Sequence, residues 1–269
     1  MSDDAMTSRL PERTVISVTG ADRVSFLDGL LSVAVDTLKD GDLAYGALLT
    51  PQGKIVSDMM VFADADRLAL DVPSGASDLM RRLTMYKLRA AVDLKETGEG
   101  VAVTFSDPPG ARPDPRAATL GKRLLTPAPV DINEEVLRRY NAARIAAGVA
   151  DGGADFDLGD AFPHDINMDL TGGVDFHKGC FVGQEVVSRM RHRGTARRRM
   201  VIAHGTSPLP APGTPVTVDG KVVGRIGSSE GDEGLAMVRV DKVRGEAEAG
   251  GVALTVRTPE GAPFALAAE

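Results

Sequence analysis

HKGCFVGQEVV, residues 177–187, contains the one cysteine of a 269-residue chain. Cys180 comes two positions after Lys178, lies between Gly179 and Gly183, and precedes the pair Gln184–Glu185. Two readings stand for its thiol. A lone free cysteine is commonly a small buried hydrophobe. Alternatively, a nearby ammonium, the N–H groups at the start of a helix over 183–190, and the arginines that follow would each favour thiolate over thiol. Gly179 and Gly183 form an ordinary turn or let the backbone approach a ligand. His164, His177, His192 and His204 could in principle pair with the thiol, but no spacing fixes such a geometry.

The segment also opens a basic island. From Lys178 to Arg199 there are seven Lys/Arg and one acid, Glu185, in a chain whose formal charge is −7. The run SRMRHRGTARRR reads as a solvated basic face or as an anion site for phosphate, polycarboxylate or RNA, since guanidinium forks match such oxyanions. No phosphate-loop or strand–GxGxxG–helix pattern accompanies it. Tryptophan is absent and aromatics make up 4%, which disfavours base stacking as a main activity. A single cysteine excludes an intramolecular disulfide framework and a zinc or iron–sulfur site built from this chain's own thiolates. No resident metal is therefore expected. The start, MSDDAMTSRLPERT, has neither the layout of a signal peptide nor the acid-poor character of a transit peptide. No run of 18 apolar residues exists, so no membrane span is expected, and the reading is a cytoplasmic protein.

Away from the island, 14–20 reads as a strand and 21–32 as an amphipathic helix with Val24, Leu27, Leu30 and Leu31 on one face. Residues 43–72 read as a three-stranded meander, 74–88 as a helix, and 90–96 and 101–106 as two more strands. The Pro- and Gly-rich 107–117 reads as a linker, and 131–149 as the strongest helix, capped at Asp131 or Asn133. Residues 150–173 form a long irregular stretch. After Arg199 come short β-rich runs, with a hairpin at Asp219–Gly220 and a polar loop over 243–251. The pattern is α+β, with residues 1–200 as two α+β units, interleaved or joined near 107–117, and 201–269 as an antiparallel barrel or sandwich. Asp58, on a strand after a tight turn, is either an outward residue or an acid aimed between layers. Asp165 is either turn chemistry or a site residue.

The octapeptide KGCFVGQE (178–185) resembles the signature of the YgfZ-type folate-binding proteins, relatives of the glycine-cleavage T-protein, an aminomethyltransferase. The similarity extends to 18–62, to FPHDINMDLTGGVDF (162–176) and to SRMRHRG (188–194). It implies a ring of two α+β units and a C-terminal β-barrel around a central channel that binds tetrahydrofolate. It also implies support of iron–sulfur cluster assembly or repair, including the clusters of tRNA-modifying enzymes. Mitochondrial relatives act on four-iron clusters. By this match Cys180, Lys178 and Asp58 are the catalytic candidates. Asp58, Asp165, Asn167, Gly179, Gly183, Gln184, Glu185 and Arg189 are the folate-binding ones. Asp165 stands where similar sequences often have Glu, and Phe181 where many have Tyr. Partners would be a folate, iron–sulfur client or assembly proteins, and an anionic partner such as RNA at Arg189–Arg199. Whether the chain is an enzyme stays open. The rival readings are a folate-dependent aminomethyltransferase or other one-carbon transferase, and a basic-patch RNA- or protein-binding module.

Overall fold

The computed structural model describes residues 6–75, 77–194, 196–244 and 246–267. One antiparallel sheet runs in the order β3-β4-β5-β2-β6, from β2 (Arg13–Thr19), β3 (Leu43–Leu49), β4 (Ile55–Ala63), β5 (Leu68–Pro73) and β6 (Asp93–Glu96). All nine residues of β4 are buried, because both faces of this sheet are covered. Side chains alternate across a strand, so Met59 and Val61 point to the layer of α1 (Arg23–Asp28) and α2 (Ser77–Lys87). Asp58, Met60 and Phe62 then point the other way, into the main core. The same alternation sends Arg13 with Val15, and Asp71 with Ala69, to that inner side.

A four-stranded sheet, β1-β7-β9-β8, is built from β1 (Thr7–Arg9), β7 (Gly100–Thr104), β8 (Arg112–Pro113) and β9 (Lys122–Thr126). Arg123 pairs across from Val103, whose side chain lies in the main core, so the arginine is carried inward too. The helix α3 (Glu134–Ala146) is capped by Asn133, which accepts from the Glu135 and Val136 N–H groups. It lays Val136, Tyr140 and Ile145 on the same core.

The C-terminal part is a closed antiparallel barrel, β10-β13-β12-β11-β14-β15. Its strands are β10 (Arg198–Gly205), β11 (Pro215–Val218), β12 (Lys221–Glu230), β13 (Glu233–Arg239), β14 (Glu246–Ala249) and β15 (Val252–Arg257). On β10, Val201 and Ala203 fill the barrel, while Met200 and Ile202 face outward into the main core. Strand periodicity thus bonds the barrel to the two sheets. Asp219 and Gly220, both at positive φ, make the hairpin expected there.

Three expectations are corrected. Residues 107–117 are no linker: they carry β8 and the buried Asp114 and Arg116. Residues 243–251 contain β14. The helix expected over 21–32 stops at Asp28; Leu30 and Leu31 stay buried by joining the sheet side, with Leu31 bridged to Leu48.

Candidate functional site

Where the two sheets, α3 and the barrel meet, the inward charges assemble. Arg13 Nε bonds Asp71 Oδ1 at 2.6 Å, and Arg123 Nη1 bonds Asp71 Oδ2 at 3.0 Å. Arg116 bonds Asp114 at 2.8 Å and Asp151 at 3.0 Å, and Arg144 bonds Asp155 at 2.5 Å. The Tyr140 hydroxyl accepts from both Arg116 (2.8 Å) and Arg123 (2.7 Å). Burial opposes ionisation of Asp151, yet the guanidiniums of Arg144, Arg116, Arg123 and Arg13 hold its carboxyl far below the usual range.

Asp58 stands beside this cluster and, among the described residues, has no ion pair. Its Oδ2 accepts from the Tyr45 hydroxyl at 3.5 Å, and its Oδ1 is buried with no hydrogen-bond partner. Four guanidiniums are already matched by Asp71, Asp114, Asp151 and Asp155, so a fifth carboxylate would leave the interior negative. Burial pushes the Asp58 carboxyl above its ordinary value, and Asp151 adds to the push against the opposing Arg13 and Arg116. The proton is therefore held to higher pH than on an exposed aspartate, and while it is held the acid can both donate and accept.

Two cavities flank the cluster. One, of about 550 Å³, is lined by Arg13, Tyr140, Arg144, Asp151, Gly152 and barrel residue Ser228. The other, of about 710 Å³, is lined by Arg116, Ala147, Asn167, Thr171, Pro259 and Glu260. The Arg116–Asp151 bond joins the two linings. Asn167, at φ +58°, donates its Nδ2 to the Met200 carbonyl at 2.8 Å. That carbonyl only accepts, so the amide orientation is fixed and the buried Oδ1 is left without a partner. Both volumes fall in the range of small-molecule pockets.

The KGC segment lies elsewhere. Cys180 is exposed and lines neither cavity, so the buried-hydrophobe reading does not hold. Lys178 is buried: its ammonium donates to the carbonyls of Asp28 (2.5 Å), Leu31 (3.1 Å) and Val33 (3.0 Å) and lies 3.1 Å from Asp28 Oδ1. Burial works against the Asp28 carboxylate, but the Val35 N–H and Lys178 hold it below its ordinary value. Lys178 therefore clamps the segment to the end of α1, and its ammonium is committed to oxygen acceptors rather than free for the sulfur. Gly183, at φ +81°, approaches Thr50 so closely that a Cβ would lie 2.5 Å from its carbonyl oxygen. It starts α4 (Gln184–Arg193), whose Glu185 and Arg189 pair with each other on the surface.

Gly179, Gly183, Gln184, Glu185 and Arg189 line neither cavity, and neither does Asp58. Asp165 does not line them either: it accepts from the Phe162 N–H at 2.9 Å and from Arg198 at 2.7 Å. Part of the arginine island is engaged by neighbouring side chains, and Arg199 is buried. Arg198 reaches Asp160 and Asp165, Arg199 grips Asp169, and Arg191 stacks on Phe176 at 4.1 Å. Sequence reading missed Arg13, Arg116, Arg123, Arg144, Asp151 and Gly152. For Arg144 a signal existed: it follows Tyr140 by four positions, on the face of α3 that also carries Val136 and faces the core.

A model of the CAF17 C-terminal beta-barrel domain matches residues 197–264. The human mitochondrial iron–sulfur cluster assembly factor IBA57 is 30% identical over 97% of this chain and 83% of its own length. The chain belongs to the IBA57 family. The IBA57 homologue of Pyricularia oryzae is 30% identical over 86% of the chain and 71% of its own length. That of Neosartorya fischeri is 30% identical, with 60% of its length covered. These IBA57 relatives are named as mitochondrial, which overturns the expectation of a cytoplasmic protein. Among solved structures, aminomethyltransferase T of the Bartonella henselae glycine cleavage system superposes with a TM-score of 0.70 over 94% of this chain and 84% of its own, at 17% identity. The fold is thus aminomethyltransferase-like, in line with the resemblance carried by residues 178–185.

Proposed function

We propose that this IBA57-family chain is a tetrahydrofolate-binding accessory factor in the assembly or repair of iron–sulfur clusters, those of tRNA-modifying enzymes among them. The observation that carries the proposal is the exposed Cys180 on a segment fixed by the buried Lys178 clamp. A chain with one cysteine offers a cluster a single thiolate, so the cluster is cargo whose remaining ligands come from a second molecule.

The two cavities beside the ionic cluster suit a folate on chemical grounds, although Asp58 lines neither and lies sealed against Gly152. The unpartnered Asn167 Oδ1, on the lining of the cavity of about 710 Å³, can accept from a pterin N–H. A bound tetrahydrofolate would supply a carrier for one-carbon units. The chain's own residues would hold and orient it and shield it from water.

The test has two arms. Calorimetric titration with tetrahydrofolate should show saturable binding that Asn167→Leu weakens. In cells lacking their own factor, Cys180→Ser should fail to restore a four-iron enzyme while keeping the wild-type melting temperature and folate affinity. Full rescue by Cys180→Ser removes the thiol from the function. Ammonia release from an aminomethyl donor would instead make the protein a transferase.

A further inference from the structure

The smaller cavity, of about 550 Å³, offers the opposite chemistry to the larger one. The larger holds an orphan acceptor, Asn167 Oδ1, whereas the smaller is floored by donors. Tyr140, 1% exposed, reaches it from α3, and its oxygen accepts from Arg116 at 2.8 Å and from Arg123 at 2.7 Å. A phenol oxygen has two lone pairs and one proton. Both pairs are used here, and among the described residues no acceptor takes the proton. The two guanidiniums draw charge from the oxygen and so strengthen its O–H as a donor. Arg144, buried on the same lining, adds a second unused donor: its Nε lies 3.4 Å from Asp151 Oδ2 and makes no hydrogen bond. Four positions apart on α3, the two side chains leave one face of the helix together.

Charge decides which kind of acceptor fits. Arg13, Arg116, Arg123 and Arg144 are already matched by Asp71, Asp114, Asp151 and Asp155. An anion brought here would be buried without a counter-charge, and a cation would face donors. An uncharged oxygen acceptor escapes both penalties. Leu10, Pro11, Leu137 and Leu158 line the same cavity with apolar surface, and the last two are only half-buried, so an apolar body is stabilised by covering them. We propose that this cavity is a second ligand site, which takes an uncharged molecule presenting a carbonyl oxygen on an apolar, ring-sized body, with the Tyr140 hydroxyl as its donor. Among the described residues it shares no lining residue with the Asn167 cavity, and it goes beyond the folate reading without depending on it.

Three probes of nearly one shape separate the chemistries: acetophenone with a carbonyl, ethylbenzene with none, and benzoate with a charge. In titrations of the whole chain followed by NMR, acetophenone should bind saturably, about tenfold more tightly than either of the others, the worth of one good hydrogen bond. Nuclear Overhauser contacts should join its ring to the methyl groups of Leu10, Leu137 and Leu158. Tyr140→Phe should bring acetophenone and ethylbenzene within about twofold of each other. Should that variant fail to fold, because Arg116 and Arg123 lose a shared acceptor, the three probes on the wild type decide alone. Saturating tetrahydrofolate should leave the acetophenone affinity within about twofold. No binding of acetophenone, equal binding of ethylbenzene, equal or tighter binding of benzoate, a preference that survives Tyr140→Phe, or contacts to Ala147 and Thr171 instead would each overturn the second site. So would displacement by tetrahydrofolate, which puts the folate itself in this cavity. Acetophenone binding as described, in a protein that takes up no tetrahydrofolate, overturns the folate reading and leaves this site standing.

Discussion

Gly152 touches Asp58 so closely that a β-carbon there would stand 2.3 Å from Oδ1 of the carboxyl. The contact explains why a buried, unpartnered acid oxygen is sealed, and it ties the irregular 150–159 stretch to the middle of β4. Gly152→Ala should therefore destabilise the fold by about 1–3 kcal/mol through overpacking. Because the obstacle is the carboxyl itself, Asp58→Ala should remove most of that penalty. Urea unfolding of the two single variants and the double variant checks this. Additive losses would mean that the clash is relieved elsewhere.

Lys178→Met should cost about 2–4 kcal/mol, because it leaves three inward carbonyls and the Asp28 carboxylate without their donor. Lys178→Arg should recover little of it, since a flat fork cannot serve acceptors gathered around one compact ammonium. Chemical denaturation measures the loss. Alkylation of Cys180 by iodoacetamide, which should proceed on the native wild type without denaturant, tests whether the segment stays in place.

Arg123 is 1% exposed and bonds Asp71 and Tyr140 together. Arg123→Leu should destabilise the protein by about 3–5 kcal/mol, the cost of stranding one member of a buried ion pair. A thermal melt that barely moves would show that Arg13 alone suffices for Asp71.

His164 is buried with neither ring nitrogen hydrogen-bonded, and burial lowers its pKa, with Asp169 and Asp165 opposing and Arg199 and Arg191 assisting. The unfolded chain regains a value of about 6.5. Between the two values the unfolded state holds a proton that the native state lacks, so this contribution is complete above about pH 7 and is lost as the pH falls through the window. His164→Gln should reduce the difference in unfolding free energy between about pH 7.5 and about pH 5.5. Identical differences in variant and wild type would acquit the histidine.

What was legible in the sequence was whatever rests on short-range pattern. The β3–β5 meander, α3 with its Asn133 cap and the Asp219–Gly220 hairpin follow from alternation, spacing and turn chemistry. The KGCFVGQE octapeptide pointed to the family. The buried ionic cluster was not legible, because Arg13, Asp71, Asp114, Arg123, Arg144 and Asp151 come from six separate segments and meet only once the sheets pack. Residues 107–117 misled because Pro and Gly mask a two-residue edge strand and an interior Asp114–Arg116 pair. Lys178 misled for a related reason: two positions from a cysteine in sequence says nothing of which way a four-carbon stem will turn.

Gly183 leans on Thr50 and Gly53, at the tip of the hairpin that leads into β4, and Asp58 lies farther along that strand. One strand, buried along its whole length, therefore connects the sulfur's platform to the buried acid. A shift of this strand would be felt both at the segment that carries Cys180 and at the buried carboxyl. Loosening the tip should uncouple the two without harming either.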